Sequence, residues 1–179
     1  MKFTETALPG VILIEPDVFH DPRGFFLETF QARRYRDNGV PYDFVQDNHS
    51  RSSRGTLRGL HAQRERPQGK LVRVLRGVIF DVAVDIRKGS PTFGKHVSAR
   101  LSDENFLQLF IPPGYAHGFC VTSELAEVEY KCTDYYDRAD EIGVRWDTAG
   151  IDWPIREPLL SAKDAALPSL SDLHARLQG

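Results

Sequence analysis

Residues 78–87, Val-Ile-Phe-Asp-Val-Ala-Val-Asp-Ile-Arg, decide the fold class of this chain. Every second residue from 80 to 86 is apolar, whereas Asp81, Asp85 and Arg87 fall on the opposite face of an extended chain. A period of two residues is that of a β-strand, so the stretch predicts a strand with one apolar and one polar face. The two aspartates are left without an assigned role, as part of an inner polar face or as partners of a histidine.

Short apolar stretches on both sides of this strand extend the pattern. They stop at turn-forming sequences such as Arg76-Gly77 and Pro112-Pro113-Gly114. The further predicted strands are Val11–Ile14, Leu71–Leu75, Phe106–Ile111, Phe119–Val121 and Glu127–Cys132. Many short strands at this spacing are typical of an all-β sandwich or barrel.

Helical signals are confined to short stretches. Gln31–Asp37 predicts a helix that ends at Asn38-Gly39, and Ser161 and Ser171 have the character of N-cap residues of two C-terminal helices. The sequence has no internal repeat, low-complexity segment or linker, so we expect a single domain over residues 1–179.

Charge is distributed unevenly along the chain. From Arg51 to Arg76 there are eight basic residues and one acid, Glu65, although the whole chain carries a net charge of only −2. A local basic stretch in an acidic protein favours an anionic ligand and argues against general nucleic-acid binding. A set of solvated strand faces is the alternative.

Composition also indicates the compartment. The two cysteines, Cys120 and Cys132, form no CxxC pair and indicate no disulfide scaffold. The N-terminal residues lack an apolar run of signal-peptide length, and charges interrupt the long apolar stretches. We therefore expect a cytoplasmic protein with no membrane partner.

Two segments carry histidines that suit proton chemistry. They are residues 57–63, which contain His61, and residues 112–119, which contain His117; Tyr130-Lys131 follows on the next predicted strand. Together they supply a candidate base, cations and a candidate acid, which are the groups needed to move a proton beside a carbonyl.

The second histidine segment also resembles a metal-binding motif. Pro112-x-Gly114-x-x-His117 is similar to the second motif of the cupin superfamily. The first cupin motif has His-x-His and then a glutamate, but the matching residues here are His61-Ala62-Gln63. Because zinc, iron and manganese sites need three or more protein ligands, we expect no metal and no other cofactor. A metal-dependent cupin is the weaker alternative.

The chain resembles the dTDP-4-dehydrorhamnose 3,5-epimerases, a cupin branch that works without metal, from about Val11 to about Leu170. The matching segments are Asp21-x-Arg23-Gly24-x-Phe26-x-Glu28, Gln46-Asp47-Asn48-x-Ser50, Leu57-Arg58-Gly59-Leu60-His61, Lys70-x-Val72, residues 80–87, Gly114-x-Ala116-His117-Gly118-Phe119, Tyr130-Lys131 and Ser161-x-Lys163-Asp164. Any one of them is weak, but their occurrence in this order is specific. The resemblance implies a cupin-like β-jelly roll (a double-stranded β-helix) with a few short helices.

The resemblance also implies a reaction, the conversion of dTDP-4-dehydro-6-deoxy-D-glucose into dTDP-4-dehydro-L-rhamnose. Epimerisation beside a ketone needs a base, a cation or donor at the enolate oxygen, and an acid on the opposite face. By resemblance His61 is the base, Asp164 its carboxylate partner, Lys70 the cation and Tyr130 the acid. A histidine suits the first role because an imidazole exchanges its proton near neutral pH.

Further residues match positions that contact the dTDP-sugar in this family. They are Arg23, Glu28, Gln46, Asn48, Arg58, Lys70, His117, Tyr136, Glu141 and Lys163. Arg58 also suits a diphosphate because guanidinium groups match phosphate oxygens, and Tyr136 matches an aromatic that stacks on thymine. The N-terminal strands of this family are shared with a partner subunit. The resemblance therefore implies a homodimer in which Arg23 and Glu28 complete the neighbouring site.

Structural roles compete with each of these assignments. His61 and Tyr130 are also compatible with core positions, His117 with packing after a turn, and Asp164 with a capping box that begins at Ser161. In an ideal strand Arg58 and His61 would point to opposite faces, unless a bulge at Gly59 rotates the chain.

Two other functions remain open from the sequence. One is an epimerase of dTDP-4-keto-deoxysugars that acts on C3 or C5 alone, because it would share the base and the tyrosine. The other is a cupin that binds a sugar nucleotide without catalysis, which the joint presence of His61, Lys70 and Tyr130 disfavours.

Overall fold

The computed structural model describes residues 1–178, so the last residue of the predicted 1–179 domain lies outside the described part. Within it, thirteen strands and three short helices form. The strands are β1 (Lys2–Glu5), β2 (Ile12–Glu15), β3 (Val18–Asp21), β4 (Gly24–Leu27), β5 (Gln46–Ser53), β6 (Leu57–Gln63), β7 (Lys70–Arg76), β8 (Val78–Asp85), β9 (His96–Ser102), β10 (Gln108–Ile111), β11 (Tyr115–Val121), β12 (Leu125–Cys132) and β13 (Glu141–Gly143). The predicted all-β fold is confirmed.

Two antiparallel sheets face one another. One has the order β1-β2-β10-β7-β12-β5 and the other β13-β6-β11-β8-β9, while β3 and β4 form a separate hairpin. From β5 to β8, and again from β9 to β13, consecutive strands alternate between the two sheets, as expected of a jelly roll. Between the sheets, Ile79 and Ala83 of β8 pack with Val72, Leu109 and Val128 of the facing sheet.

The strand that decides the fold class is buried on both faces. Val82 and Val84 of β8 pack under the C-terminal segment against residues that include Val144 and Leu173. Asp81 and Asp85 are 0% exposed, so the polar face of the pattern points inward and not to solvent. Burying carboxylates is costly unless they are paired, and each of these has partners described below.

The helices follow their caps. α1 (Ala32–Asp37) begins after Gln31, and α2 (Ala162–Ala165) begins after Ser161, whose Oγ accepts the Asp164 N–H at 3.0 Å. The prediction of Ser171 as an N-cap is wrong. α3 (Leu170–Gln178) places Ser171 inside its first turn, and Ser169 Oγ accepts the Asp172 N–H at 3.1 Å instead.

A bulge in β6 brings its functional residues to one cavity. His61 lies opposite His117, and Arg58 opposite Phe119, so two residues of β6 face the single Gly118 of β11. Gly59 has φ of +114°, and a Cβ there would lie 2.6 Å from Gly118 Cα and from the His117 carbonyl oxygen. Only glycine therefore allows this approach, and the bulge that the sequence left open at Gly59 is formed.

We expect Gly59→Ala to destabilise the protein and displace His61. The methyl group must push β6 from β11, which should cost about 1–3 kcal/mol beyond the cost of the positive φ itself. Urea denaturation measures the difference. Gly89→Ala is the matched control, because Gly89 has φ of +73° but nothing within 4 Å of the added Cβ. Equal stability losses in the two variants would contradict the argument.

Candidate active site

A cavity of about 610 Å³ opens between the two sheets. Its walls come from β5, β7 and β12 on one side, from β6, β11 and β13 on the other, and from the segment around α2. It collects all four predicted catalytic residues and most predicted substrate contacts. Those that line it are His61, Lys70, Tyr130, Asp164, Gln46, Asn48, Arg58, His117, Tyr136, Glu141 and Lys163.

His61 is hydrogen-bonded to the carboxylate of Asp164. The distance from His61 Nε2 to Asp164 Oδ1 is 2.5 Å, and Asp164 is only 4% exposed. Burial by itself would raise the pKa of Asp164, but the bond to His61 and its charge hold that pKa below the ordinary value. The carboxylate is thus ionised at neutral pH, fixes the ring and stabilises a proton on it. The Ser161 cap to the Asp164 N–H coexists with this pairing.

Lys70 and Tyr130 reach the cavity from neighbouring strands of the sheet opposite His61. Lys70 Nζ lies 5.9 Å from the centroid of the Tyr130 ring. Lys70 keeps some exposure at the cavity, but the side chains around it desolvate the ammonium and lower its pKa. Burial raises the pKa of Tyr130, so its phenol keeps its proton at neutral pH. A cation and a proton donor therefore face the histidine across the cavity.

A second histidine–carboxylate pair lies deeper. His117 Nε2 is 2.7 Å from Asp81 Oδ1, both side chains are almost fully buried, and the His117 ring is 6.3 Å from that of Tyr130. Of the two roles open to Asp81, partner of a histidine is the observed one. Asp85 lies outside the cavity lining and bonds Arg87, Ser90 and Thr92, which pull its pKa well below normal against the effect of burial.

Polar side chains of β5 line the wall beside Tyr130. Asn48 is paired with Tyr130 in the ladder, and Asn48 Nδ2 donates to Cys132 Sγ at 3.4 Å. Gln46 Oε1 accepts the N–H of Tyr136 at 2.9 Å, which ties the cavity rim to this strand. Residues 46, 48 and 50 all face the cavity because they share one face of a strand.

The rim also carries an ionic network. Tyr136 Oη donates to Glu141 Oε2 at 2.6 Å, and Lys163 Nζ lies 2.6 Å and 2.8 Å from the two oxygens of Glu141. On the β6 side, Arg58 Nε donates to Ser52 Oγ at 2.9 Å, which leaves the rest of its guanidinium for an anion.

The structure does not bring two predicted substrate contacts to this cavity. Arg23 pairs with Asp21 and is 90% exposed, and Glu28 pairs with Arg34 at 2.6 Å. Both belong to the β3–β4 hairpin and the residues just after it, away from the cavity lining. The position of the hairpin explains this, because it forms its own small sheet apart from the two that build the cavity.

Gln63 has a structural role where a metal cupin would have a histidine. Its Nε2 donates to the carbonyl oxygens of Arg66 and Tyr135, and its Oε1 accepts the Asp137 N–H at 2.7 Å. Across residues 1–178, no group of three or more His, Cys, Asp or Glu side chains is arranged to hold a metal ion. Metal independence stays a prediction.

Sequence reasoning missed several residues of the site. It assigned no role to Asp81, which lies behind the lining as the partner of His117. It also did not single out Gln68, Ser50 or Phe119, which line the cavity. The period of two along residues 46–50 was a signal for Ser50. Asp81 is buried because β8 pairs with β11, which puts it opposite Phe119. The sequence alone does not show which strands pair.

Comparison with known proteins agrees with this geometry. Residues 5–172 match the family model described as dTDP-4-dehydrorhamnose 3,5-epimerase. The dTDP-4-dehydrorhamnose 3,5-epimerase of Methanothermobacter thermautotrophicus is 53% identical, with 91% of each chain covered. That of Neisseria gonorrhoeae is 56% identical over 93% of this chain, which spans about half (52%) of that relative's length.

Solved structures give the same result. The dTDP-6-deoxy-D-glucose-3,5-epimerase of Legionella pneumophila in complex with dTDP-4-keto-L-rhamnose is 50% identical, with a TM-score of 0.94 and 98% and 96% of the two chains covered. A 3′-monoepimerase of Streptomyces bikiniensis in complex with dTDP-quinovose is 33% identical, with a TM-score of 0.89 and 97% and 89% covered. The chain, a cupin-like jelly roll, therefore belongs to the dTDP-4-dehydrorhamnose 3,5-epimerase family of carbohydrate epimerases.

Proposed function

We propose that this chain is an isomerase that converts dTDP-4-dehydro-6-deoxy-D-glucose into dTDP-4-dehydro-L-rhamnose by inverting C3 and C5. The observation that carries the proposal is one cavity with a histidine–carboxylate pair on one wall and a tyrosine and lysine on the other. Inversion of a carbon needs a base and an acid on opposite faces of the sugar, and this arrangement supplies both.

The chemistry follows from the C4 ketone, which acidifies the C–H bonds at C3 and C5. His61 takes the C3 proton, and the electron pair moves onto the ketone oxygen as an enolate. Asp164 stabilises the resulting imidazolium, and Lys70 stabilises the enolate oxygen. Tyr130 returns a proton to the opposite face, and its phenolate is reprotonated from solvent. The His61 imidazolium gives its proton to solvent, which restores the base for the second carbon. The same sequence at C5 completes the product without a change in redox state, so we propose that it needs no cofactor.

The remaining lining residues suit a nucleoside diphosphate. The free part of the Arg58 guanidinium provides donors for the diphosphate, and Tyr136, half-exposed at the rim, provides a ring on which a base can stack. Gln46, Asn48 and His117 match substrate-contact positions of the family, and their place in the cavity lining supports the same role here.

The alternative is inversion of one carbon only. Its support is the similarity to the 3′-monoepimerase of Streptomyces bikiniensis, at the lower identity of 33%. A base and an acid serve either reaction, and the pocket decides which carbons are presented to them. The greater identity to 3,5-epimerases favours double inversion.

We also propose that the protein is a cytoplasmic homodimer in which Arg23 and Glu28 complete the partner's site. The β3–β4 hairpin exposes Phe19, Phe25 and Phe26 at 63%, 56% and 70%, a concentration of apolar surface that association would cover. Two free, buried cysteines fit a reducing compartment. In the described part of the chain, no helix is long and apolar enough to cross a bilayer.

Deuterium incorporation tests the function. Incubation with dTDP-4-keto-6-deoxyglucose in deuterated water should label the product at both C3 and C5, as counted by NMR. Label at one carbon would support the monoepimerase alternative, and label at neither would support a binding protein.

Exhaustive chelation should leave the rate within roughly twofold of the untreated enzyme, since the proton transfers use side chains alone. Loss of activity on chelation with recovery on adding zinc, manganese or iron would refute metal independence.

Tyr130→Phe separates the acid from the base. The ring still packs, so the fold should hold, but inversion should fall by ~10²–10⁴-fold because the opposite-face donor is lost. His61 still exchanges the substrate proton, so deuterium should enter recovered substrate faster than inverted product forms. Tyr42→Phe is the control, because it makes the same change in a core cluster outside the cavity. Wild-type inversion in Tyr130→Phe would remove the phenol from the mechanism.

Complementation tests the shared site. Arg23→Ala and His61→Ala should each give homodimers with two defective sites. In a mixed dimer one site carries both substitutions and the other neither, so activity should recover to roughly half that of wild type. Co-expression with two affinity tags isolates the mixed dimer. Sedimentation of the wild type as a fully active monomer, or no recovery in the mixed dimer, would contradict the proposal.

A further inference from the structure

A second carboxylate lies beside the imidazole of His61. Glu141 Oε1 is 3.9 Å from His61 Nε2, the same nitrogen that Asp164 Oδ1 approaches to 2.5 Å. The Glu141 side chain is 11% exposed. Burial would raise its pKa, but Lys163, Tyr136 and the His61 charge together hold it below the ordinary value. Glu141 is therefore ionised at neutral pH, close enough to act on His61 by its charge and too far to take its proton.

The carboxylate of Glu141 is held in place by its neighbours. Oε2 accepts the Tyr136 hydroxyl at 2.6 Å and lies 2.8 Å from Lys163 Nζ, and Oε1 lies 2.6 Å from the same ammonium. β13 pairs with β6 so that Glu141 lies opposite Gln63, two residues from His61 on the partner strand. Both hydrogen bonds go to Oε2, whereas Oε1 is buried, has only the ion-pair contact with Lys163 and is the oxygen near the imidazole. The carboxylate is thus fixed through Oε2 with its other oxygen beside His61.

We propose that Glu141 is a positioning residue that acts through His61. Together with Asp164 it stabilises the imidazolium that forms when His61 removes the substrate proton. The inference rests on the proposed function and goes beyond the family resemblance, which implies a direct ligand contact for Glu141. Tyr136, the residue proposed to stack on the nucleotide, contacts the Glu141 carboxylate, and that carboxylate in turn lies beside His61. Two contacts therefore connect the nucleotide end of the cavity to the catalytic histidine.

Other charged and titratable groups share the cavity with His61. They are Asp164 and Lys163 of the α2 segment, Arg58 of β6, His117 of β11, Lys70 of β7, Tyr130 of β12 and Tyr136 of the rim. The two carboxylates stabilise the imidazolium, whereas the cations oppose it. Removing Glu141 and removing Lys163 should therefore have effects of opposite sign.

The experiment compares Glu141→Gln and Lys163→Met with wild type. Without the Glu141 charge the His61 imidazolium is less stable. His61 therefore stays neutral, and able to accept the substrate proton, down to a lower pH. The acid limb of the kcat/KM profile should move to lower pH by about one unit, and kcat should fall up to about tenfold. Lys163→Met should move the limb to higher pH. Glu127→Gln, which removes a carboxylate beside His49 outside the cavity, should leave the profile unchanged.

A second readout does not depend on turnover. The imidazole signals of His61, assigned by their loss in His61→Ala, are titrated by NMR without substrate and should respond over a lower pH range in Glu141→Gln. This separates a failure of the inference from a failure of the proposed reaction. A raised KM with an unmoved acid limb and unchanged imidazole titration would make Glu141 a ligand contact and overturn the inference. If Glu141→Gln does not fold, the Lys163→Met variant decides. A shift of its acid limb to higher pH supports the inference, and an unshifted limb overturns the inference.

Discussion

The close approach of β6 to β11 at Gly59 is the constraint on which the site depends. The backbone of Gly118 and the His117 carbonyl occupy the space where a side chain at Gly59 would project. That contact accommodates a bulge, in which β6 has one more residue than the paired stretch of β11. The extra residue lets both Arg58 and His61 line the cavity. His61 can then meet Asp164 of the C-terminal segment, 103 residues further along the chain. A local backbone requirement thus sets the geometry of a long-range pair.

The same region interrupts the apolar core with three carboxylates, and each of them has a partner. Asp81 is paired with His117, Asp164 with His61, and Glu141 with Lys163. Breaking a buried pair leaves an uncompensated charge, which is costly, so these pairs hold their strands and the α2 segment together. Burial also sets proton affinities, because it lowers the pKa of Lys70 and raises that of Tyr130. Packing and chemistry are therefore properties of one set of contacts.

The sequence predicted the strand at residues 78–87, the two histidine segments, a helix near residues 31–37 and the cap at Ser161, because local period and local hydrogen bonding determine them. The conflict between Arg58 and His61 left a bulge at Gly59 open, and the structure forms it. The sequence did not predict that both faces of β8 are buried, since the C-terminal segment that covers the apolar face is distant in sequence. Ser169, and not Ser171, caps α3 because Ser169 precedes Asp172 by the three residues of a capping pair. Nor does the family motif show that Arg23 and Glu28 stay away from the cavity of their own chain.

The proposed reaction needs its two walls to differ, and the charges on them do. Both carboxylates that line the cavity among residues 1–178, Asp164 and Glu141, lie on the side of His61. Negative charge there favours a proton arriving on the imidazole. Lys70 lies on the side of Tyr130, where a cation favours both the enolate oxygen and the phenolate left after the proton is returned. The proton is therefore drawn toward one wall and released from the other. The same arrangement favours the same direction of transfer, from the substrate to His61 and from Tyr130 to the substrate, at both carbons.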